Sequence, residues 1–447
     1  MQRNVLRWPG NFAHSLYLAI VLIVFGMIYG LARLGIALFV WGAARPRTLA
    51  RLRGWWLRVT MSALGATFIK MGQVMSTRPD LFAPEIIDQL RHLQDHLPPF
   101  SFRRVKATIE ADFKKPLTEL FSEIDEQPVA AASVAQVHRA RLKDGCEVAV
   151  KVLRPNVRRQ VTRDAVILIG LARLIALRPL WRLNDPVSHT RHFVDAIIDQ
   201  TDLGIEAANY TRFRRNFAGD PDVSFPEVYE EFCSPRVLTM EFVRGEKIDA
   251  LPAGTRDPKL AQVVRRAMFK MCFEDGFVHA DLHPGNMVVR DGSKVVIFDV
   301  GLAKQLGDDV LAQFIDMSKC IAMGTPDDIV LHLKRFHKYL GEIDWAALRV
   351  DVEKFAIAFR GKDTAKLEYG ELFAEMFVIG RNHHIHPVPD MMLVFVALIT
   401  AQGIGKMLDP EHNIFSTLAM YLIPVLMKRN EHVPDTVEAK KAAAAIA

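Results

Sequence analysis

The sequence predicts an α+β protein of two lobes, with a helical extension ahead of them and a hydrophobic anchor at the N-terminus. Three observations predict it. A charge-free apolar run opens the chain, short period-two strands cluster between residues 129 and 242, and helical periodicity dominates from about Leu260. Of the 447 residues half are hydrophobic and 24% are charged, a balance that supports a sizeable core and excludes a disordered or collagen-like chain.

Charge is unevenly placed. The first acidic residue is Asp80, and ten basic residues precede it. The other 368 residues carry 47 Lys and Arg against 51 Asp and Glu, so the overall +6 belongs to the N-terminal segment alone. That points to an anionic membrane surface as partner there, and not to nucleic acid. Cys146, Cys233, Cys272 and Cys320 are far apart and form neither a disulfide framework nor a zinc pattern, which suits a reducing compartment.

The anchor is assigned to residues 1–45. No charged residue lies between Ser15 and Ala32, eighteen positions that span roughly 27 Å as a helix, close to a bilayer core. Five arginines from Arg45 to Arg58 outweigh Arg3 and Arg7, so a single crossing leaves the main domain on the cytosolic side. A buried or interfacial hairpin, a signal peptide and an Arg-rich transit peptide are the competing readings.

Residues 46–128 form the helical extension. Helix is predicted over 60–96 with breaks at Pro79 and Pro84, then from a Ser101 cap to about Phe113. The strand-bearing lobe, with inserted helices, covers 129–243. Val148, Val150 and Val152 alternate with Ala149, Lys151 and Leu153 before Arg154-Pro155 ends the run. Helices are predicted over 160–180 and 190–217, and a strand over Arg236–Phe242. The helical lobe takes 244–430, interrupted by 279–303, and an Ala-rich tail takes 431–447. Two late apolar segments, Met391–Ile404 and Phe415–Met427, are shorter than a bilayer span and read as core helices.

The chemistry concentrates in His279-Ala280-Asp281-Leu282-His283-Pro284-Gly285-Asn286 and in Asp299-Val300-Gly301. Phosphoryl transfer from ATP needs Mg²⁺ on the phosphates, a carboxylate near the attacking hydroxyl and a cation on the α/β-phosphates. An Asp with an Asn five residues on and an Asp-x-Gly eighteen residues on has the order of a kinase catalytic loop and metal loop. Asp281 is then the catalytic carboxylate, and Asn286 and Asp299 supply the oxygens that Mg²⁺ prefers. An ordinary Pro-Gly-Asn turn and a zinc site on His279, Asp281 and His283 are the alternatives; the second leaves Asp299 unexplained and lacks a fourth ligand. Val148-Ala149-Val150-Lys151 has the form of the strand carrying the ATP-binding lysine, and Glu206, 55 residues later on a predicted helix, is its candidate ion-pair partner. Glu241 to Val243 is the candidate adenine-contacting hinge.

One expected part is missing. No Gly-rich loop precedes the lysine strand, and Gly405-Lys406 lacks the rest of a Walker loop. Ala130, Ala131, Ala132 and Ser133 stand there instead. Alanine keeps a methyl where glycine lets backbone approach phosphate, so ATP is gripped differently from the way ordinary kinases grip it.

With these residues the chain resembles the UbiB family of atypical protein-kinase-like proteins, linked to ubiquinone biosynthesis and lipid homeostasis. Lys70-Met71-Gly72-Gln73 carries the resemblance most specifically, beside the Ala-rich loop, His279–Asn286 and Asp299–Gly301. It extends over about residues 60 to 430 and implies a bilobal protein-kinase-like fold binding ATP and Mg²⁺. By resemblance Lys70, Gly72 and Gln73 belong to an extension lying over the cleft where a peptide substrate would sit, which favours ATP hydrolysis or small-molecule or lipid action. In agreement, the only Ala-Pro-Glu stands far upstream at Ala83–Glu85. Where the family commonly has Glu-x-Asp this chain has Gln200-Thr201-Asp202, losing one carboxylate and keeping Asp202. The expected function is a membrane-anchored, Mg²⁺-dependent ATPase or atypical kinase supporting quinone or lipid metabolism, with quinone or lipid precursors and quinone-biosynthesis proteins as expected partners. A nucleotide-sensing scaffold, a small-molecule phosphotransferase and a membrane-bound protein kinase are the rivals.

Overall fold

A computed structural model describes residues 9–40, 44–76, 82–93, 98–177 and 186–410, apart from 253, 293, 308, 340–341, 361–368 and 387–388, and also Leu418 and Tyr421. The second late apolar segment, those two residues excepted, the tail, Arg3 and Arg7 lie outside the described residues.

The N-terminal helix, Pro9–Phe39, runs antiparallel to the Arg-rich helix Ala44–Leu64. Tyr17 donates to the Ala63 carbonyl (2.6 Å), the Trp56 indole donates to the Phe25 carbonyl (2.9 Å), and the Tyr29 and Trp56 rings lie 5.2 Å apart. The stretch Leu16–Phe39 has the length and apolarity of a bilayer span, with a mean hydropathy of 2.2. Leu18 and Val21 are buried, while Ile20, Ile23, Met27, Leu31, Leu34 and Leu38 are exposed. The helix therefore shows a long apolar face to the outside and leans its other face on a partner bearing arginines.

The extension continues in helices Ala66–Ser76 and Pro84–Arg91. The Ala-Pro-Glu tripeptide opens the second of these, with Pro84 in its first turn, where a missing N–H costs nothing. Phe68, Ile69, Leu90 and Leu93 share a core with Leu18 and Val21 of the N-terminal helix and with Ala165, Leu168, Phe193 and Val194. Gly72 sits inside this core: a Cβ there would lie 2.2 Å from Leu93 Cδ1 and 2.7 Å from Met61 Sδ. Both neighbours are only 5% exposed and have little room to yield. Gly72→Val is expected to cost about 1–3 kcal/mol through overpacking, read as a fall in Tm.

The small lobe is an antiparallel sheet of Phe121–Ile124, Ala135–Leu142, Glu147–Leu153 and Val237–Glu241, with the short strand Ala130–Ala131 on its second member. It begins at Phe121, ahead of residue 129. Ser101 occupies the N-cap position of helix Phe102–Phe113 without a side-chain cap bond, and that helix sets Val105 and Ile109 against the fully buried Val148, Val150 and Val152. Because side chains alternate along a strand, this burial turns Ala149 and Lys151 to the opposite face, toward the cleft.

The helical run expected over 190–217 is two helices, Pro186–Asp199 and Leu203–Asn216. Asp202 caps the second, its carboxylate accepting from the Gly204 N–H at 3.0 Å. A cap of this kind is worth about 1 kcal/mol, enough to end one helix and start another where no Pro or Gly intervenes.

The large lobe gathers helices Pro258–Phe269, Val310–Met323, Pro326–Phe336, Trp345–Arg360, Tyr369–Asn382 and Pro389–Leu408 around the main core. The stretch Asp390–Leu408 has a mean hydropathy of 1.8, yet Met391, Met392, Val394, Phe395, Leu398, Ala401 and Ile404 are all buried, as a core helix requires. Strands Met287–Arg290 and Lys294–Ile297 pair as a hairpin, and Phe277–His279 pairs with Ala303–Gln305, so both motif loops emerge from strand ends. Cys272 is buried beneath them, and burial pushes its thiol up to about 12. In the native protein at neutral pH an alkylating reagent should modify exposed Cys146 and spare Cys272 until the chain is unfolded, which peptide mapping checks.

Candidate nucleotide site

Lys151, on the cleft face of Glu147–Leu153, meets Glu206 in the first turn of the Asp202-capped helix. Its Nζ lies 2.8 and 2.9 Å from the two carboxylate oxygens of Glu206 and 3.2 Å from Oδ1 of Asp299. The Lys151 side chain is 14% exposed and that of Glu206 6%, whereas that of Asp299 is 52% exposed and opens into the cleft. Burial works against the lysine's charge, but Asp299 and Glu206 outweigh it and hold the ammonium above its ordinary range. Reciprocally, the Lys151 charge keeps the Asp299 carboxyl well below the usual carboxylate range. Tyr210, one helical turn past Glu206 and fully buried, accepts the Asp299 N–H at 2.8 Å. That bond pins a residue whose backbone is left-handed, with φ of 58°. Asn209 adds a second tie, donating to the Val300 carbonyl at 2.9 Å.

His279 is buried and both of its ring nitrogens are committed. Nδ1 accepts from the Asp281 N–H (3.2 Å), so Nε2 carries the proton and donates to the Phe298 carbonyl (3.2 Å). Burial lowers its pKa and keeps the ring neutral. The imidazole thus stitches the His279–Asn286 loop to the segment that leads into Asp299. The Asn286 amide donates to the Asp281 carbonyl at 3.1 Å, and the Phe298 N–H donates to the Asn286 carbonyl at 3.0 Å. The Asn286 side-chain oxygen and the Asp299 carboxylate remain as hard donors. Among the described residues no group of three His, Cys, Asp or Glu side chains stands together as a metal site. A small hard cation that keeps water and phosphate oxygens as its other ligands fits this donor set.

Lys151, Glu206, Asp281, Asn286 and Asp299 line one cavity of about 430 Å³, within the range of small-molecule sites. Ala130, Ala132, Glu241, Val243, Lys70 and Gln200 line it too. Three residues expected at the site are placed otherwise. Ala131 pairs with Gln136 in the sheet, Ser133 is fully buried, and Asp202 is spent as a helix cap with Arg158 3.6 Å away. Gly72 serves packing, and Gln73 reaches the Leu93 carbonyl at 3.4 Å. The charge of Lys70 is felt at both Glu206 and Asp299.

Two contributors escaped sequence reasoning. Tyr210 carried a usable signal, since position i+4 from Glu206 falls on the same helix face. Arg154 carried none: its guanidinium donates to the Ala132 carbonyl (2.8 Å) and the Pro98 carbonyl (2.9 Å), bracing the Ala-rich loop from across the chain.

A lysine–glutamate pair under a small sheet, facing an Asp, an Asn and a second Asp from a helical lobe, defines a protein-kinase-like protein. More narrowly, the chain belongs to the UbiB family of atypical kinases: the ABC1 atypical kinase-like domain matches residues 92–330 and the UbiB helical domain matches residues 352–413. The chain is 32% identical over 405 residues to the probable protein kinase UbiB of Pseudomonas fluorescens, a match covering 86% of this chain and 73% of that one. With the Vibrio cholerae protein of the same name it shares 32% identity over 391 residues, covering 82% and 69%. Among solved structures, that of Rv3197 with erythromycin from Mycobacterium tuberculosis superposes with a TM-score of 0.50 at 18% identity, covering 70% of this chain and 84% of that one. That likeness is one of fold.

Proposed function

We propose that this protein is a membrane-associated, Mg²⁺-dependent ATPase or atypical kinase that supports ubiquinone biosynthesis or lipid homeostasis. The observation that carries the proposal is the Lys151 ammonium held between Glu206 and Asp299, with Asp281 and Asn286 in the same cavity. In this reading Lys151 neutralises the α/β-phosphates, and Glu206 keeps it from turning away. Asn286 and Asp299 hold Mg²⁺, which when bound neutralises phosphate charge and orients the γ-phosphoryl group. Asp281 takes up the proton of the attacking hydroxyl or water. The backbone from Glu241 to Val243 faces the adenine, while the Glu241 carboxylate is engaged by Arg290 at 2.6 Å. The ubiquinone link rests on family membership.

Membrane association is supported by the exposed apolar face of the N-terminal helix. Its antiparallel partner carries five arginines, each costing roughly 2.5–3.5 kcal/mol at a bilayer centre, so the pair is better suited to lie in the interface than to cross together. The arginines then meet anionic headgroups.

The test is phosphate release from Mg²⁺-ATP by the full chain, with and without anionic phospholipid vesicles. Release that needs Mg²⁺ and rises with vesicles supports the reading. Nucleotide binding with no release above that of a cleft-disabled variant would replace it with a nucleotide-sensing scaffold.

A further inference from the structure

A second cavity adjoins the nucleotide site. It measures about 450 Å³, and Lys70, Asp281 and Leu302 line both chambers, forming a shared wall. Asp281 therefore has one flank toward the phosphates and the other toward this chamber. Away from that wall Phe193 and Ala196 from helix Pro186–Asp199 and Met392, Leu393 and Val396 from helix Pro389–Leu408 give it an apolar side, while Gln73, His192, Asp195, Lys304 and Asp390 add polar groups. The charged groups around it nearly cancel, two lysines against three aspartates, and several are already engaged. Lys304 lies 4.0 Å from Asp199, and the Asp390 carboxylate accepts the Gly307 N–H at 2.8 Å. Such a lining has no excess charge to recognise a strongly ionic headgroup.

The chamber also backs onto the anchor. Phe193, which lines it, belongs to the same apolar cluster as Leu18 and Val21 of the N-terminal helix and Phe68 of the extension. A continuous apolar layer thus joins the helix with the exposed lipid-facing surface to the chamber beside Asp281.

The geometry points to this chamber as the acceptor site, taking an uncharged, membrane-soluble molecule that carries one hydroxyl on an apolar body. The inference deepens the proposed ATP chemistry and rests on it. The apolar body lies against Phe193, Met392 and Leu393, and the hydroxyl reaches Asp281 at the shared wall. Its oxygen bonds to the γ-phosphorus of ATP, the bond from that phosphorus to the β-bridging oxygen breaks, and ADP leaves. The hydroxyl proton passes to Asp281, giving a phosphate monoester.

The experiment uses the full chain in phospholipid vesicles and a decanol bearing a photoreactive diazirine as probe, with cross-linked peptides mapped by mass spectrometry. Labelling is expected on the helices carrying Phe193 and Met392–Val396, competed by decanol and not by glycerol. Ala196→Trp and, independently, Leu393→Trp fill the chamber and should each reduce that labelling about tenfold. Fluorescent-nucleotide binding is measured alongside to show that each variant is folded. Labelling elsewhere, equal competition by glycerol, or undiminished labelling in both folded variants would overturn the inference. Phosphate release is read from the same samples. Chamber labelling without any turnover defeats the catalytic reading while leaving an alcohol-binding chamber, and turnover without chamber labelling does the reverse.

Discussion

Asp281→Asn is expected to lower phosphate release by about 10²–10⁴-fold while leaving nucleotide affinity within a few-fold of wild type. The asparagine keeps the size of the side chain and removes its capacity to take a proton. The loop around it is held by contacts that the substitution does not touch. His279 accepts the backbone N–H of residue 281, and the Asn286 amide holds its carbonyl. A loss of turnover with retained binding therefore reports proton acceptance and not a collapsed loop. Single-turnover phosphate release beside equilibrium binding of a fluorescent nucleotide separates the two. If release is unchanged, Asp281 is not the catalytic carboxylate and the attacking group is activated elsewhere.

Asp299→Asn should be as severe and should fail differently. Turnover is expected to fall by about 10³-fold, with Mg²⁺-dependent nucleotide binding weakened along with it. Asp299 is both a hard donor and one of the two carboxylates that hold the Lys151 charge. Removing it lowers the lysine toward its ordinary range and takes a ligand from the cation. The substitution also has a signature in acid. The carboxyl of Asp299 is depressed by Lys151, so its contribution to folding is complete above its unfolded pKa, about 3.9, and is lost as pH falls through the lower folded value. The variant has no such contribution to lose. Its acid unfolding should be correspondingly less steep below about pH 4, as followed by circular dichroism. An Asp299→Asn protein that binds Mg²⁺-nucleotide like wild type would remove Asp299 from the metal site.

Much of this site was legible because its parts lie in short local patterns. The alternation of Val148, Val150 and Val152 placed Lys151 on the opposite strand face without knowledge of what covered the valines. The spacing of Asp281, Asn286 and Asp299 marked two loops that the strand pairings then brought together. What stayed illegible depends on contacts between distant segments. The charge-free run from Ser15 to Ala32 announces an apolar helix but does not say that Ala44–Leu64 folds back along it, so a spanning anchor and a hairpin look alike. The break at 200–202 has no Pro or Gly, and Asp202 reads as a functional carboxylate until its bond to the Gly204 N–H is seen. Two-residue strands such as Glu246–Lys247 exist only through their partners, here Val288 and Val289. Arg154 next to Pro155 reads as the end of a strand, and its bond to Ala132 can be seen only in three dimensions.

The sharing of Lys151 between Glu206 and Asp299 bears on the order in which the cleft fills. With Lys70 close by, the two lysines are set against Glu206, Asp299 and Asp281, which leaves a single excess negative charge before any guest arrives. A free divalent ion is then offered only one excess negative charge, and a bare triphosphate brings several more unanswered. In the proposed reading metal and nucleotide compensate one another, so they are expected to enter as a preformed chelate. Magnesium chloride alone should leave the melting curve in place, and the same ion with ATP should move it.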